Sequence, residues 1–569
     1  MAESNTSPPY EAADESAAGP AYAQVYEQVQ ALLADRRQEE AVELLLAALA
    51  AVLHQSRQLE LLVMQLRRAQ RGTRSEKISP EQLALLLEEL HQLGAAEPAQ
   101  DAEAEAQEDR ALGQEIERAE EAAQERKEKR RPRRQSWHAR DGVERQIHHV
   151  EVPEAERICA RCGREQQRIG EDITRTLEYV PAHFVEHEHH LEKYACGRCK
   201  RGVTTAPGPD KLIERSAVDA SVVAQVVVSK YADHTPLERQ RRIYDRCGVA
   251  IPVSTMADWV GFAGELVQPL VDVLVERVVQ AYVVRLDGTG LKVLDPDSPN
   301  NVERGTVWCC VGDDRDVVFR YAESAHGASG PWQILRGRRG YIQADASNTF
   351  DRLFNGQEAS ATEVGCWAHA RRGLAALLDT DCRVAYPLQL IQRLYRLEHL
   401  ASVQQLSPEQ RAALRGERSA GVLKKLKRWL VATVKKEPPS SELAKAAGYC
   451  LNHWTALTRF VHDGRLDLDN NLCERQLRDI ALGRKNYLFA GSHEAARRTA
   501  AIYSLMRTCA QHGVAPLPYL TDVLRKLAND WPKSRLEELL PDRWQQLHGG
   551  ASDANGSRQT ADTLSAITV

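Results

Sequence analysis

Apolar positions recur at helical spacing from Ala21 to Gln70. The later half of that stretch carries a heptad, with Val42, Leu49, Ser56 and Val63 in one series and Leu45, Val52, Leu59 and Leu66 in the other. Such a seam joins two chains as a coiled coil or helical hairpin, and it serves equally as one helix packed on its own domain. Gly72-Thr-Arg-Ser75 breaks the run, and Ser79-Pro80 restarts a helix that continues to about residue 94. Residues 1–20 and 548–569 are poor in apolar side chains and are expected to be disordered. Residues 95–145, rich in Ala, Glu and Gln, read as a charged, partly helical linker. Its basic end, Lys127 to Arg134, either meets phosphate or stays solvated.

The pattern changes over residues 146–208. Cys159-Ala-Arg-Cys162 and Cys196-Gly-Arg-Cys199 are two knuckles separated by 33 residues, enough for the tetrahedral four-thiolate shell of a structural zinc. Thr176 to Pro181 and His187 to His190 alternate like strands, so a zinc ribbon is predicted. A closed shell has no open position, and the chemistry must lie elsewhere.

Three helical patterns follow over residues 209–276: Val218 to Tyr231, a basic one after Pro236, and a third opened by Ser254 or Thr255 as cap. Gly248 and Pro252 turn the chain between the second and third. This is the layout of a helix-turn-helix, in which Arg239, Arg241, Arg242 and Arg246 would touch phosphates, and equally that of a plain helical scaffold.

Tyr282 to Leu286 is a β-rich run that ends in Asp287 and a Gly-containing turn. A hairpin follows, Thr306 to Gly312 and Asp316 to Tyr321, turned at Asp313-Asp314-Arg315, and then a short strand ending in Asp345. After 128 further residues, mostly helical in pattern and read as an insertion over about 350–465, an amphipathic helix carries Glu474. Leu472, Leu477 and Ile480 lie on its buried side, Arg475 and Arg478 beside the acid, and a basic loop, Leu482 to Ser492, after it. Strand with acid, hairpin, strand with acid, helix with acid is the order of a ribonuclease H-like core, here spanning 277–500. Three converging carboxylates repel unless a cation joins them, so the trio implies Mg²⁺ or Mn²⁺. Asp287 would bridge two ions, with Asp345 and Glu474 holding one each. Asp295, Asp297, Asp313, Asp314 and Asp316 sit in turns, where Asp is expected for backbone reasons. Asn470 and Asn471 would start the helix. Arg371 and Arg372, behind Cys366 and His369, and Arg484 and Lys485 are candidates for phosphate contacts.

Charge modifies this picture little. The formal net charge is −5 over 569 residues, but residues 1–150 hold 28 acids against 19 bases, and the remainder 52 acids against 56 bases. An acidic front masks a mildly basic body, which permits DNA binding through local patches. Outside the two knuckles the remaining eight of twelve cysteines are scattered and read as core thiols. No apolar run reaches membrane-spanning length, and Met1-Ala-Glu-Ser-Asn lacks the basic start of a secretory signal, so a cytoplasmic protein is expected.

Several motifs taken together resemble one family. These are Arg74-Ser-Glu-Lys, the two knuckles, Ser229-Lys-Tyr-Ala-Asp-His-Thr-Pro-Leu, Gly365-Cys-Trp-Ala-His-Ala-Arg-Arg, Asp467-Leu-Asp-Asn-Asn and Leu482-Gly-Arg-Lys-Asn-Tyr-Leu-Phe-Ala-Gly-Ser. From about Leu59 to Trp544 the chain is similar to the insertion-sequence-66 family of bacterial transposases, whose C-terminal segment is similar to Ala501-Ile-Tyr-Ser-Leu through Glu538-Leu-Leu-Pro, within a C-terminal helical segment expected over 501–547. The resemblance implies a multidomain α+β DDE transposase that cuts element ends and joins the freed 3′ hydroxyl to target DNA, with Asp287, Asp345 and Glu474 at the matching acid positions. It implies double-stranded DNA as partner, a homo-oligomer that brings two ends together, and small accessory proteins of the same element. The chain departs from the family around Asp287, with Arg-Leu-Asp-Gly-Thr-Gly in place of Ala-Asp-Glu-Thr-Pro, and after Asp345, with Ala-Ser in place of Gly-Tyr. Two other functions fit the same modules: a DNA-end-binding protein without catalysis, and a nuclease of the same fold without strand transfer.

Overall fold

The computed structural model describes residues 102–128, 182–195, 203–213 except Asp210, and 218–548 except Pro299, 325–329, 356–359 and Asp379, with isolated residues among 28–46 and at 147, 161 and 164. The labelled helices are α1 (Ala102–Glu128), α2 (Ala220–Tyr231), α3 (Leu237–Arg246), α4 (Val253–Leu266), α5 (Gln268–Gln280), α6 (Trp367–Ala375), α7 (Ala385–Val403), α8 (Ala420–Lys436), α9 (Glu442–Asn452), α10 (Asn471–Tyr487), α11 (His493–His512) and α12 (Pro516–Ala528). The strands are β1 (Lys193–Ala195), β2 (Val203–Thr205), β3 (Val283–Leu294), β4 (Val302–Gly312), β5 (Asp316–Ala322), β6 (Gly340–Gln343) and β7 (Ala361–Val364). Among the described residues no helix is long and apolar enough to cross a membrane.

The chain divides into two compact units. One comprises Met1–Ala119, His369–Leu406 and Ala413–Asn452. Within it Leu112 of α1 is buried against Leu397 and Leu400 of α7, and Asp109 accepts from Arg393 Nε at 2.8 Å. Arg415 is fully buried in a π-helical turn and donates through Nε to Glu398 at 2.7 Å. Of the heptad positions, Val42 and Leu45 are exposed, and Leu49 to Leu66 lie outside the described residues, as do Ser79 and Pro80.

The other unit comprises Glu120–Ala368, Ser407–Ala412 and His453–Val569. Its centre is a five-stranded sheet in the order β5-β4-β3-β6-β7, with β3, β4 and β5 antiparallel and β6 and β7 parallel to β3. The β4–β5 turn is at Asp313-Asp314-Arg315, as its residues predict, with φ of 45° and 63° at the two acids. On one face Gly312 lies against Val278 and Ala281 at the end of α5. On the other, α10 crosses β3 and β4. Helix α11 runs along β5. Ser504 Oγ accepts from Phe319 N at 2.8 Å and donates to Ala500 O at 2.8 Å, and Thr508 Oγ accepts from Val317 N and donates to Val317 O, both at 3.0 Å. One turn apart on the helix, they satisfy the edge of a strand that would otherwise offer bare backbone groups for pairing.

Helices α2, α3 and α4 take the predicted order, with Gly248 at φ 85° in the turn between α3 and α4. They are built into the same buried core as the sheet, α11 and α12, with Val223, Ala224, Val226 and Val227 of α2 fully buried. The expected cap of α4 is corrected. Pro252 stands at the N-cap and Val253 is the first helical residue, so neither Ser254 nor Thr255 caps it. His187–His190, expected as a strand, are exposed and without regular secondary structure, while Thr176–Pro181 lies outside the described residues.

Candidate active site

Strand β3 does not end at Asp287. It continues through Gly288 and Gly290 to Leu294, because these glycines admit cross-strand side chains. A Cβ at Gly288 would come within 2.5 Å of the Trp308 ring, and one at Gly290 within 3.0 Å of Arg304 Nε. Sequence reasoning took the glycines for a turn.

In the parallel ladder Arg285 pairs with Gln343. Asp287 stands two residues beyond that pair on β3, and Asp345 two residues beyond it, just past the end of β6. Helix α10 crosses β3. Asn470 at its N-cap donates from Nδ2 to Leu286 O at 2.9 Å and from its backbone N to Cys366 Sγ at 3.3 Å. Cys473 Sγ donates to Cys309 O at 3.4 Å, and Cys309 is the cross-strand partner of Asp287. Glu474 follows it in the first turn of α10. Burial, then Cys309 and the Asp287 carboxylate, push the Cys473 thiol well up, which leaves it inert. Asp287, Asp345 and Glu474 are half-buried, and Asp345 Oδ1 is a buried oxygen with no hydrogen-bond partner. The three side chains do not close as a trio to within 4.8 Å of one another.

What holds α10 in place is a residue the sequence reasoning passed over. Arg285, 1 % exposed, donates from Nε and Nη2 to Asp314 at 2.7 and 3.1 Å, from Nη2 to Asp467 at 2.6 Å, and from Nη1 to Gln343 Oε1 at 2.8 Å and Asp469 O at 3.1 Å. Burial works against its charge, but Asp467 and Asp314 outweigh that and raise its pKa. Gln343 Nε2 adds a bond to Asp467 O at 2.8 Å. The Asp467-Leu-Asp-Asn-Asn motif is therefore the strap that docks the Glu474 helix onto β3 and β6. An arginine within the apolar run Val283 to Leu286 was the available signal. Asp313 likewise accepts from the backbone N of Tyr282 and Val283, so these turn acids have structural partners.

Comparison with known proteins identifies the family. A family model described as Transposase IS66 family matches residues 215–498, one described as IS66 C-terminal element matches 504–541, and one described as zinc-finger binding domain of transposase IS66 matches 156–200. The chain belongs to the IS66 transposase family. Its relatives include two proteins of Sinorhizobium fredii (strain NBRC 101917 / NGR234), named uncharacterized protein y4qI and y4hP. The first is 34 % identical over 84 % of this chain and 87 % of its own length, the second 32 % over 86 % and 89 %.

In this IS66 chain Cys159, Cys162, Cys196 and Cys199 lie outside the described residues. β1 leads directly into Cys196, and β2 starts after Cys199, the two strands pairing Lys193 with Thr205. The zinc-finger match and a donor set of four thiolates fit zinc.

The basic candidates divide by their partners. Arg475, Arg478 and Lys485 are exposed along one side of α10 with Leu482. The helix runs on to Tyr487, which corrects the expected loop from Leu482, and Arg484 turns inward to donate to Gly290 O. Arg241 and Arg242 form exposed ion pairs with Glu238, and these two guanidinium groups hold its carboxyl down to about 2. Such pairs are weak and open to exchange for phosphate. Arg239 Nη1 reaches Asn486 Oδ1 at 3.4 Å, which brings α3 beside the end of α10. In the other unit Arg371 is half-buried and Arg372 exposed on α6. Cys366 Sγ accepts from Asn470 N at 3.3 Å.

Proposed function

We propose that this IS66-family chain cuts the ends of its element and joins the freed 3′ hydroxyl to target DNA, with Asp287, Asp345 and Glu474 as the catalytic acids. The observation that supports this is the Arg285–Gln343 pair, which Asp287 and Asp345 each follow by two residues, together with the Asn470–Leu286 bond that docks the start of the helix bearing Glu474. The strand order, an antiparallel meander continued by two parallel strands, supports a ribonuclease H-like core. Oxygen donors only, one of them a buried Asp345 oxygen without a partner, fit Mg²⁺ or Mn²⁺. When bound, such ions activate the attacking oxygen and steady the leaving one during displacement at phosphorus.

The protein's own groups do the remaining work. Arg285 and Asn470 fix the acid-bearing helix on the sheet. Arg475, Arg478 and Lys485 on the exposed side of α10, with Arg239, Arg241 and Arg242 of α3, neutralise and position the DNA backbone without reading sequence. Two ends must be held together for transfer, so the acting form is an oligomer.

Incubating the full chain with Mg²⁺ and a labelled element-end duplex, beside Asp345→Ala, tests the proposal. Cleaved and joined products from the parent protein and none from the variant are expected. Equal cleavage by Asp345→Ala overturns the assignment. Binding without cleavage favours an end-binding protein, and cleavage without joining a nuclease.

A further inference from the structure

We propose that Asp295, Glu303 and His493 form a binding site for a divalent transition-metal ion, separate from the cysteine knuckles and from the three acids above. One ligand atom from each lies within 4.8 Å of the others. His493 Nε2 is 3.1 Å from Glu303 Oε2. A zinc ion bound by a nitrogen at about 2.0 Å and an oxygen at about 2.1 Å in tetrahedral geometry sets its ligands roughly 3.3 Å apart. Small side-chain rotations therefore bring all three atoms onto one ion.

The histidine is supported as a metal ligand requires. Its Nδ1 shares a hydrogen bond of 2.8 Å with Tyr321 OH. With a metal on Nε2 the ring proton sits on Nδ1 and donates to the tyrosine oxygen, which fixes tautomer and ring plane. The carboxylates are equally well placed. Asp295 opens the β3–β4 turn, where its Oδ1 accepts from Asp297 N at 3.1 Å and its backbone N donates to Asn301 O at 3.1 Å. Glu303 is opposite Val293 in the β3–β4 ladder.

The backbone brings the third element in. Ala490 N donates to Lys292 O and Leu294 N to Ala490 O, both at 2.9 Å, which hooks the segment after α10 onto β3 and sets His493, first residue of α11, over the turn. All three side chains are half-buried, so an ion can enter from solvent. One imidazole with two carboxylates suits Zn²⁺ or Mn²⁺ better than Mg²⁺, and three protein ligands leave a position for water. The ion would clip the α10–α11 junction to the β3–β4 hairpin.

The test counts zinc. Full-length protein is stripped with chelator, reloaded with zinc alone, freed of excess, and analysed for zinc per chain, beside His493→Ala, Glu303→Gln and Cys159→Ser. His493→Ala and Glu303→Gln should each carry one ion fewer than the parent and lose part of the zinc-dependent rise in melting temperature. Adding His493→Ala to Cys159→Ser should remove a further ion. Tyr321→Phe should keep the site with affinity about 10- to 100-fold weaker. Identical zinc content and zinc-dependent melting in the parent, His493→Ala and Glu303→Gln overturn the proposal, since a plain His–Glu ion pair gives that result. Should His493→Ala fail to fold, Glu303→Gln alone decides, because Glu303 is 43 % exposed.

Discussion

Arg285→Met removes the hub that joins β3, β6, the β4–β5 turn and the strap before α10. Breaking a buried ion pair by deleting one partner costs about 3–5 kcal/mol. The structure sets the expectation at the lower end of that range. Asp314 is 51 % and Asp467 39 % exposed, so both rehydrate when the guanidinium is lost, and Asp467 keeps Arg411 at 3.4 Å. Two acceptors cannot be compensated so easily. Gln343 is fully buried and loses the donor to its Oε1, and the Asp469 carbonyl loses another, at about 1–3 kcal/mol for each group left unsatisfied. A loss of about 3 kcal/mol follows, with methionine filling part of the stem's volume. Urea denaturation read by tryptophan fluorescence measures it as a lower midpoint at unchanged slope. Arg285→Lys should recover only part, because an ammonium cannot span Asp314, Asp467 and Gln343 together. DNA cleavage should fall in both variants at temperatures where they remain folded, since the strap orients Glu474. A loss under about 1 kcal/mol for Arg285→Met, or a lysine variant as stable as the parent, would refute this account.

Ser504→Ala leaves Phe319 N without its helix partner and should cost about 2 kcal/mol in the same urea assay; an unchanged midpoint would show that the β5 edge finds other partners. Gly288→Ala drives a methyl into the Trp308 ring and should cost about 1–3 kcal/mol by overpacking, visible as a lower melting temperature. Burial alone would raise the Asp463 pKa, but hydrogen bonds from Arg465 and Tyr282 bring it down to about 2. Its contribution is therefore complete above the unfolded value of about 3.9 and lost as pH falls through about 2, so the stability gap between the parent and Asp463→Asn should be flat above about pH 5 and shrink below it. A gap independent of pH would contradict that assignment. Removing zinc by chelation, or Cys159→Ser, should lower thermal stability more than it lowers DNA chemistry, and a variant as thermostable as the parent would sink the structural-zinc expectation.

Much of the candidate site lay open in the sequence because its signals are local. An acid at the end of an apolar run, an Asp-Asp-Arg hairpin turn and an amphipathic helix with Glu474 need only neighbouring residues to be recognised, and cysteine spacing needs only counting. The elements at β4, β5 and α10 follow from periodicity, and the buried side of α10 does carry Leu477 and Ile480. Errors arose where a residue's conformation depends on something far away in the chain. Gly288 and Gly290 read as a turn, yet the side chains of Trp308 and Arg304 across the ladder make them part of a strand. Leu482 to Tyr487 read as a loop because of its glycine and charges, but the helix continues there with Gly483 packed under Tyr487 and Tyr503.

The sequence by itself determined which residues carry charge, metal-binding chemistry and apolar faces, because those are properties of side chains and their spacing. Only the tertiary structure decided that Arg285 pairs with Gln343, that Arg285 is the anchor of the Glu474 helix, and that Asp295, Glu303 and His493 meet. Those facts join Arg285 to Gln343, 58 positions on, Arg285 to Asp467, 182 on, and Asp295 to His493, 198 on, by strand register and by burial of a charge that must find its partners. Local pattern carries no information about which strand lies beside which, and the free energy that selects the pairing resides in contacts made only once the chain has closed.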